Sequence, residues 1–270
     1  MKKAKKVFRY LKARLQPASA LPFFWHVGTP NFGDDINPAL FNAALSKPVR
    51  LQTRRDRPHF LGMGSILDRA NSASTVLGSG FLAPPVAGSL NPEKCVAVRG
   101  ELSLAGIAQT EGVLLGDPMV LLSLVIPFRT QPDGPVGFVP HISEVSHARR
   151  LKIPGVKIID PSDAPWRVIQ DIASCSRIFS QSLHGLIVAD TLDVPNIWIE
   201  PGKKMAGYRF KFYDYFSTTD ALKEPYPFDL ETFINTPIHL FEISRYMYDK
   251  KIYLDAIREA VFKKQDRNVN

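Results

Sequence analysis

The sequence contains little of what a disulfide scaffold, a metal site or a membrane-spanning protein requires. Its 270 residues include two cysteines, Cys95 and Cys175, which give neither a disulfide framework nor a zinc spacing. The six histidines show no HxH or HxxxH pattern, so we predict no metal site. No run of eighteen apolar residues occurs, and we therefore predict no transmembrane helix. These absences favour a cytoplasmic protein that uses no metal and no cofactor.

Acidic residues are absent from the first 14 positions, which hold seven of the 34 basic residues. The remainder of the chain has 27 basic against 26 acidic residues and is nearly neutral. A nucleic-acid-binding protein carries its basic residues along a face of the fold, so we expect no nucleic-acid partner. Residues 1–16 are predicted to form either a solvated tail or an amphipathic helix on an anionic membrane surface. The apolar side of that helix would consist of Val7, Phe8, Leu11 and Leu15.

Short apolar runs, each followed by a turn of glycine, aspartate or histidine, alternate with helical segments along the chain. This rhythm is typical of parallel strands covered by helices. A proline-rich stretch without apolar periodicity, residues 127–135, interrupts it. We predict a basic arm (residues 1–16), an N-terminal α/β domain (residues 17–130) and a C-terminal α/β domain (residues 131–270). A long final helix is predicted by the apolar spacing of Ile243, Met247, Leu254, Ile257 and Val261.

Ligands of open parallel sheets bind beyond the carboxyl ends of the strands, so the turns that follow strands hold the candidate site residues. In TPNFGDDINP, Gly33 permits a tight turn and an aspartate can cap the next helix. Capping needs only one of Asp34 and Asp35, and we expect at least one of them in a site. In LGSGF, Ser79 and Gly80 allow backbone N–H groups to approach an anion.

Two basic side chains lie at positions that point more specifically to ligand binding. Arg99 directly follows the predicted strand CVAV, where its guanidinium can bind a carboxylate or phosphate in bidentate fashion. The alternative is a surface arginine paired with Glu101. His184 begins a helix after SRIFSQS, and Gly185 leaves room beside it. It either faces an anionic ligand or is a buried histidine at a helix cap.

Other polar residues follow the remaining strands. His141 ends VGFVPH and is either structural or part of a site. Asp117 in LLGDPM is predicted to cap a helix. After the strand PNIWIE the chain supplies a cluster of cations that, with Arg99, forms a candidate anion site facing His184. These cations are Lys203, Lys204, Arg209 and Lys211.

Taken in order, these motifs resemble those of the polysaccharide pyruvyl transferase family. The motifs are NFGDDINP, LGSGF, VRGELS, LGDPMVLL, PH, SQSLHGLIVAD and KFYDYF, and the resemblance covers about residues 21–216. The likeness is greatest to members that form pyruvate ketals on bacterial exopolysaccharides of the succinoglycan kind. The resemblance implies a GT-B-like fold of two facing Rossmann-like domains. It also implies phosphoenolpyruvate as donor, a hydroxyl pair of a soluble or lipid-linked saccharide as acceptor, and no metal.

The resemblance also implies roles for individual residues. It assigns catalysis to His184, Arg99 and a lysine, which by count from the histidine is Lys204, with Lys203 and Lys211 as alternatives. The predicted donor-binding residues are Gly33, Asp34, Ser79, Gly80, Ser182, Lys203, Arg209 and Lys211. Asp35 and His141 are predicted to bind the acceptor. The chain departs from the family pattern at Ser182, where many members have arginine.

Two other functions remain open from the sequence. One is a GT-B glycosyltransferase that uses a nucleotide sugar. The other is a non-catalytic protein of polysaccharide assembly, which Ser182 favours and which the retained His184 and Arg99 oppose. If residues 1–16 bind a membrane, we expect the protein at the inner face of the plasma membrane, where a lipid-linked acceptor would lie.

Overall fold

The computed structural model describes residues 9–11, 13–17, 19–202 and 205–267. Residues 9–11 and 13–14 are helical. Leu11 and Leu15, from the predicted apolar side of the arm, are exposed, whereas Val7 and Phe8 lie outside the described residues. Membrane binding by the arm therefore stays a prediction.

The first half of the chain forms a sheet of six parallel strands in the order β2-β1-β3-β4-β5-β6. Most residues of β1, β3 and β4 are buried because helices and loops cover both faces of the sheet. The strands are β1 (Leu21–Phe24), β2 (Val49–Leu51), β3 (His59–Leu61), β4 (Ser74–Leu77), β5 (Lys94–Val98) and β6 (Leu114–Leu115). The helices are α1 (Phe32–Asp35), α2 (Asn37–Leu45), α3 (Glu101–Leu104) and α4 (Leu122–Val125), with one-turn 3-10 helices at Leu67–Arg69 and Pro118–Leu121.

The second half forms a sheet of four parallel strands in the order β10-β9-β7-β8. The strands are β7 (Val136–Val139), β8 (Val156–Ile158), β9 (Arg177–Ser180) and β10 (Asn196–Trp198). The helices are α5 (Val145–Leu151), α6 (Pro165–Ala173) and α7 (Leu183–Thr191). Every residue of α7 except His184 is buried, because α7 packs against β9, β10 and, from the first half, the 3-10 helix at Pro118–Leu121. A helix that consists mostly of apolar residues fits this central position.

The C-terminal part of the chain returns to the first sheet. It contains α8 (Phe210–Phe216), α9 (Leu230–Asn235), a 3-10 helix at Ile238–Leu240 and α10 (Lys250–Arg267). The predicted long final helix is confirmed, but it starts at Lys250, so Ile243 and Met247 precede it. Its Tyr253 hydroxyl donates to the carbonyls of Leu77 and Gly116 at 2.9 and 2.8 Å. α10 thus packs on the first sheet. The predicted domain bounds, which group this helix with residues 131–270, stay a prediction.

The two predicted parallel sheets are confirmed, and they share a core. One cluster of buried apolar side chains contains Phe23 from β1, Val139 from β7, Leu186 from α7 and Ile257 from α10. Residues 127–135, the predicted linker, contain no helix or strand. Because the apolar cluster is continuous between the halves, α7 and the loops around it are held in fixed positions at their junction.

Candidate active site

A cleft of about 550 Å³ lies between the two halves. Its lining residues follow strands of both sheets: His26 follows β1, Ser65 follows β3, His141 follows β7 and His184 follows β9. The cleft is thus built from the carboxyl ends of parallel strands, where ligands of such sheets bind.

The cleft combines cations with groups that transfer protons. Its charged and titratable lining residues are His26, Asp34, Arg55, Asp68, Arg69, His141, His184 and Lys211. Arg69 pairs with Asp68 at 3.2 Å. Burial, followed by the charge of Arg99, lowers the pKa of the Lys211 ammonium to about 8. A cation that is partly desolvated in this way binds an anion more strongly than a fully hydrated lysine does.

His184 projects from the first turn of α7 into the cleft wall. Ser182 caps the helix by accepting a hydrogen bond from the Gly185 N–H at 3.4 Å. The Ser180 hydroxyl accepts from the Ser182 N–H at 3.1 Å and donates to the Ser182 carbonyl at 2.9 Å. The serines therefore fix the strand-to-helix turn that presents the imidazole, whose side chain is 12% exposed.

Helix α1 brings Asp34 and Gly33 against His184. Asn31 caps this helix through the Gly33 N–H at 3.1 Å. The next helix, α2, follows Ile36 and has no side-chain cap, so the prediction that an aspartate caps it is wrong. The Phe32 N–H donates to the Pro161 carbonyl of the second half at 2.8 Å, which fixes α1 across the junction. Burial raises the pKa of the Asp34 carboxyl, while the neighbouring His184 and His26 act in the opposite direction. Asp34 and His184 are thus two neighbouring titratable groups that line the cleft.

Changing Gly33 to alanine tests this close contact. A Cβ atom at Gly33 would lie 2.0 Å from His184 Nδ1, so the imidazole must move. We expect Gly33→Ala to lose at least ten-fold in turnover with little change in melting temperature, because a displacement of about 1 Å at a reacting group costs up to 10²-fold. Gly202→Ala is the matched control, since its Cβ would meet only the Glu144 carboxylate. Equal turnover of the two variants would contradict the contact.

Arg99 does not line the cleft. Its side chain is fully buried, and Nε donates to Asp214 Oδ2 at 2.8 Å. Its other nitrogens donate to Ser65 Oγ at 2.8 Å and to the Phe81 carbonyl at 2.6 Å. The alternative pairing with Glu101 is wrong. Arg99 links the end of β5 to α8, the helix that carries Lys211, and its predicted contact with a donor stays a prediction.

The other predicted donor residues differ in whether they reach the cleft. Ser182, Asp34 and Lys211 line the cleft. Ser79 is fully buried, and Gly80 packs against the Arg99 guanidinium, where a Cβ would lie 2.4 Å from Cζ. Gly80 therefore makes room for Arg99.

The predicted cations that follow β10 also differ in where they lie. Arg209 Nε donates to Glu200 Oε1 at 2.9 Å, which turns its guanidinium toward that carboxylate. Lys203 and Lys204 lie outside the described residues. Of the predicted cluster, Lys211 is the described cation that reaches the cleft.

The two predicted acceptor residues lie in different cavities. His141 lines the cleft, its Nδ1 is 2.8 Å from Ser143 Oγ, and burial together with Lys211 lowers its pKa to about 4. Asp35 instead lines a neighbouring cavity of about 910 Å³, where it pairs with Arg9. Ile142 borders both cavities.

Some cleft residues were not predicted from the sequence. His26, Arg55 and Arg69 carry no motif that distinguishes them from surface residues. Asp117 caps the 3-10 helix through the Met119 N–H at 3.0 Å, as predicted. Its second carboxylate oxygen, however, approaches the His184 imidazole at 3.8 Å, and no sequence signal indicates this contact.

The described ranges contain neither a metal-binding cluster nor a membrane-spanning helix. Among these residues no group of three or more histidine, cysteine, aspartate or glutamate side chains is arranged to hold a metal ion. In the same part of the chain no helix combines the length and apolarity needed to cross a membrane.

Comparison with known proteins supplies independent information. A model of the family described as polysaccharide pyruvyl transferase matches residues 86–202. An uncharacterized protein of Acanthamoeba polyphaga mimivirus is 30% identical over 212 residues, which cover 73% of this chain and 73% of that protein. The succinoglycan biosynthesis protein ExoV of Rhizobium meliloti (strain 1021) is 28% identical over 218 residues, which cover 76% of this chain and 66% of that protein. No solved structure matches.

Proposed function

The chain belongs to the polysaccharide pyruvyl transferase family, and we propose that this enzyme transfers pyruvate from phosphoenolpyruvate to two hydroxyls of a saccharide, with release of phosphate. The observation that carries the proposal is the cleft in which Lys211, Asp34 and His184 surround one space. An anionic donor needs the cation, and ketal formation needs the two proton-transfer groups.

The reaction sets definite requirements on the site. A proton must reach the methylene carbon of the donor, which makes the adjacent carbon electrophilic. One sugar hydroxyl attacks that carbon and loses its proton, phosphate leaves with the bridging oxygen, and the second hydroxyl closes the ketal. The two hydroxyls lose two protons in total. One makes up for the proton that the methylene carbon gained in becoming a methyl group, and the other leaves with phosphate. The enzyme must therefore hold the two anionic groups of the donor, deliver a proton to its methylene carbon and remove protons from the hydroxyls that attack the adjacent carbon.

The cleft residues are suited to these steps. The Lys211 ammonium binds an anionic group of the donor, and Arg55 is a second cation that lines the cleft. His184 serves as the general acid or base, a contribution of about 10²- to 10⁴-fold in rate. Asp34, whose pKa burial raises, serves as its partner for the opposite proton transfer. A raised pKa suits this role because it makes the carboxyl group a weaker acid and its carboxylate a stronger base.

The neighbouring cavity is suited to the saccharide. It presents the carboxylates of Asp35, Asp160 and Asp163, which can accept hydrogen bonds from sugar hydroxyls. Trp166 in its wall is 37% exposed and offers an aromatic face for a sugar ring. Its volume of about 910 Å³ is within the range of ligand sites. We therefore place the acceptor chain there and the donor in the smaller, more cationic cleft, as part of the same proposal. We also propose a GT-B-like arrangement of the two halves, because each half has a parallel sheet and the cleft lies between them.

The decisive test measures phosphate released from phosphoenolpyruvate by the full chain, with and without lipid-linked and soluble oligosaccharides from a polysaccharide-producing bacterium. We expect release that depends on acceptor and yields a saccharide heavier by one pyruvate ketal. Absence of release with every acceptor, together with no thermal stabilisation by phosphoenolpyruvate, would contradict the proposal. It would favour a nucleotide-sugar donor or a non-catalytic role.

Lys211 gives the donor site a pH dependence. Its pKa is lowered to about 8, so the side chain is cationic below that pH and neutral above it. We expect the affinity for phosphoenolpyruvate to fall as the pH rises through about 8. Lys211→Met should weaken binding about 10- to 100-fold at pH 7, which corresponds to the free-energy contribution of one hydrogen bond to a charged group. The variant should also lose this pH dependence.

Calorimetric titration with phosphoenolpyruvate from pH 6 to 9.5 measures both effects. Lys94→Met, which removes an exposed lysine from β5, is the control. An unchanged affinity in Lys211→Met would remove this lysine from the donor site.

A further inference from the structure

The imidazole of His184 and the carboxylate of Asp117 meet at the junction of the two halves. Nε2 of His184 lies 3.8 Å from Oδ2 of Asp117, whose side chain is 1% exposed. Both atoms are buried, and neither has a hydrogen-bond partner among the described residues. Two complementary polar atoms that are unpaired and adjacent in a buried place indicate an interaction, because each alone would cost free energy.

The position of Asp117 is fixed independently of the histidine. Its Oδ1 accepts the Met119 N–H and so caps the 3-10 helix that packs on α7. The preceding Gly116 has φ +158°, and a Cβ atom there would lie 2.5 Å from the Tyr246 hydroxyl. The Tyr253 hydroxyl also binds the Gly116 carbonyl. The cap and these contacts orient the carboxylate so that Oδ2 points at α7.

The opposite side of the imidazole also has fixed neighbours. Nδ1 lies against Gly33, at the start of the helix that carries Asp34. The Phe32 ring meets the imidazole edge-on, with 6.4 Å between the ring centroids. His184 lines the cleft and its Nε2 is buried at Asp117, so we infer that Nδ1 is the nitrogen on the side of the cleft.

We propose that Asp117 is a positioning residue that holds His184 with its proton on Nε2, so that Nδ1 is the nitrogen that exchanges protons with the reactants. The proposal rests on the function given above for the same cleft. A slight rotation of the ring brings the 3.8 Å separation into hydrogen-bond range. A hydrogen bond from one ring nitrogen to a carboxylate sets the tautomer and the orientation of the other nitrogen. The carboxylate would also stabilise the imidazolium that forms during proton transfer.

Asp117→Asn is a discriminating change because it should reverse the tautomer. The cap requires an oxygen that faces the Met119 N–H, so the amide oxygen takes the place of Oδ1. The amide nitrogen then takes the place of Oδ2 and donates to Nε2, which must lose its proton. The histidine proton moves to Nδ1, where it blocks proton acceptance in the cleft.

Nitrogen-15 NMR of the imidazole rings reads the tautomer directly, with His184→Gln used to assign the signal. We expect His184 to be protonated on Nε2 in the native chain and on Nδ1 in Asp117→Asn at the same neutral pH. In kinetics, Asp117→Asn should lower kcat about 10²- to 10⁴-fold and leave the KM for phosphoenolpyruvate within about three-fold, because Lys211 still binds the donor. Asp229→Asn is the matched control, since Asp229 also caps a helix, α9, through the Thr232 N–H at 2.8 Å.

Two results would overturn the proposal. One is a native His184 protonated on Nδ1, and the other is an Asp117→Asn variant that keeps the native tautomer. If Asp117→Asn does not fold, Asp117→Ser, which retains a capping oxygen, should show a mixture of the two tautomers. A native tautomer in that variant would equally overturn the proposal. Absence of phosphate release by the native chain would count against the proposed reaction and not against the tautomer, since the NMR signal needs no substrate.

Discussion

Replacing His184 by glutamine should reduce acceptor-dependent phosphate release by about 10²- to 10⁴-fold, the usual contribution of a general acid or base. Glutamine fills a similar volume and can form hydrogen bonds, but it does not exchange a proton near neutral pH. The histidine side chain is 12% exposed in the wall of the cleft, so the substitution alters little of the core. We therefore expect kcat to fall while the melting temperature and the affinity for phosphoenolpyruvate stay close to those of the native chain.

His239→Gln is the matched control for this measurement. His239 is exposed in the short 3-10 helix at Ile238–Leu240, outside the residues that line the cleft. Its substitution should leave turnover unchanged. Native turnover in His184→Gln would remove this histidine from the reaction and return it to the role of a buried residue beside a helix cap.

The second large effect is expected from the pair of Arg99 and Asp214. Both side chains are 0% exposed and are joined at 2.8 Å. Asp214 also accepts hydrogen bonds from the Ser103 hydroxyl at 2.6 Å and from the Ser103 N–H at 2.7 Å. Removing one partner leaves the other charge buried, which costs about 3–5 kcal/mol. We expect Arg99→Ala and Asp214→Ala each to lower the free energy of unfolding by this amount, measured by urea denaturation.

Donor binding separates the two roles considered for Arg99. If the guanidinium only holds α8 in place, the two variants should weaken phosphoenolpyruvate binding equally, through displacement of Lys211. If it contacts the donor, Arg99→Ala should weaken binding at least ten-fold more than Asp214→Ala. Arg167→Ala is the control for stability, because its pair with Asp171 is exposed and such pairs contribute about 0–1 kcal/mol. A loss below 1 kcal/mol in Arg99→Ala would contradict the buried pair.

Most of the fold was predictable because its strands are short apolar runs that end at glycine or polar turns. Strand β2 was not predicted, since it has three residues with Arg50 in the middle and forms only by pairing with β1. The start of the final helix was misplaced because Ile243 and Met247 continue its apolar spacing without being helical. Periodicity in a sequence does not show where hydrogen bonding begins.

The candidate site was predictable only where local sequence determines geometry. Ser182 and His184 lie at a strand-to-helix turn, and the turn alone places them at the carboxyl edge of the sheet. The partner of Arg99 is 115 residues away, and the Asp117–His184 contact also joins the two halves. Such contacts depend on how the halves pack, which no local pattern encodes. A helix-capping aspartate looks the same in sequence whether or not its second oxygen has a further partner.

The return of the chain to the first sheet has a consequence for the order of folding during synthesis. Tyr253 binds Leu77, 176 residues earlier, and the Arg258 guanidinium binds the Ala44 carbonyl, 214 residues earlier. The half that leaves the ribosome first is therefore completed last, after the second sheet has been made. At ordinary translation rates this interval is on the order of ten seconds. Throughout it, the surface later covered by α10 stays uncovered by this helix, and exposed apolar surface of this kind makes a folding intermediate prone to aggregation.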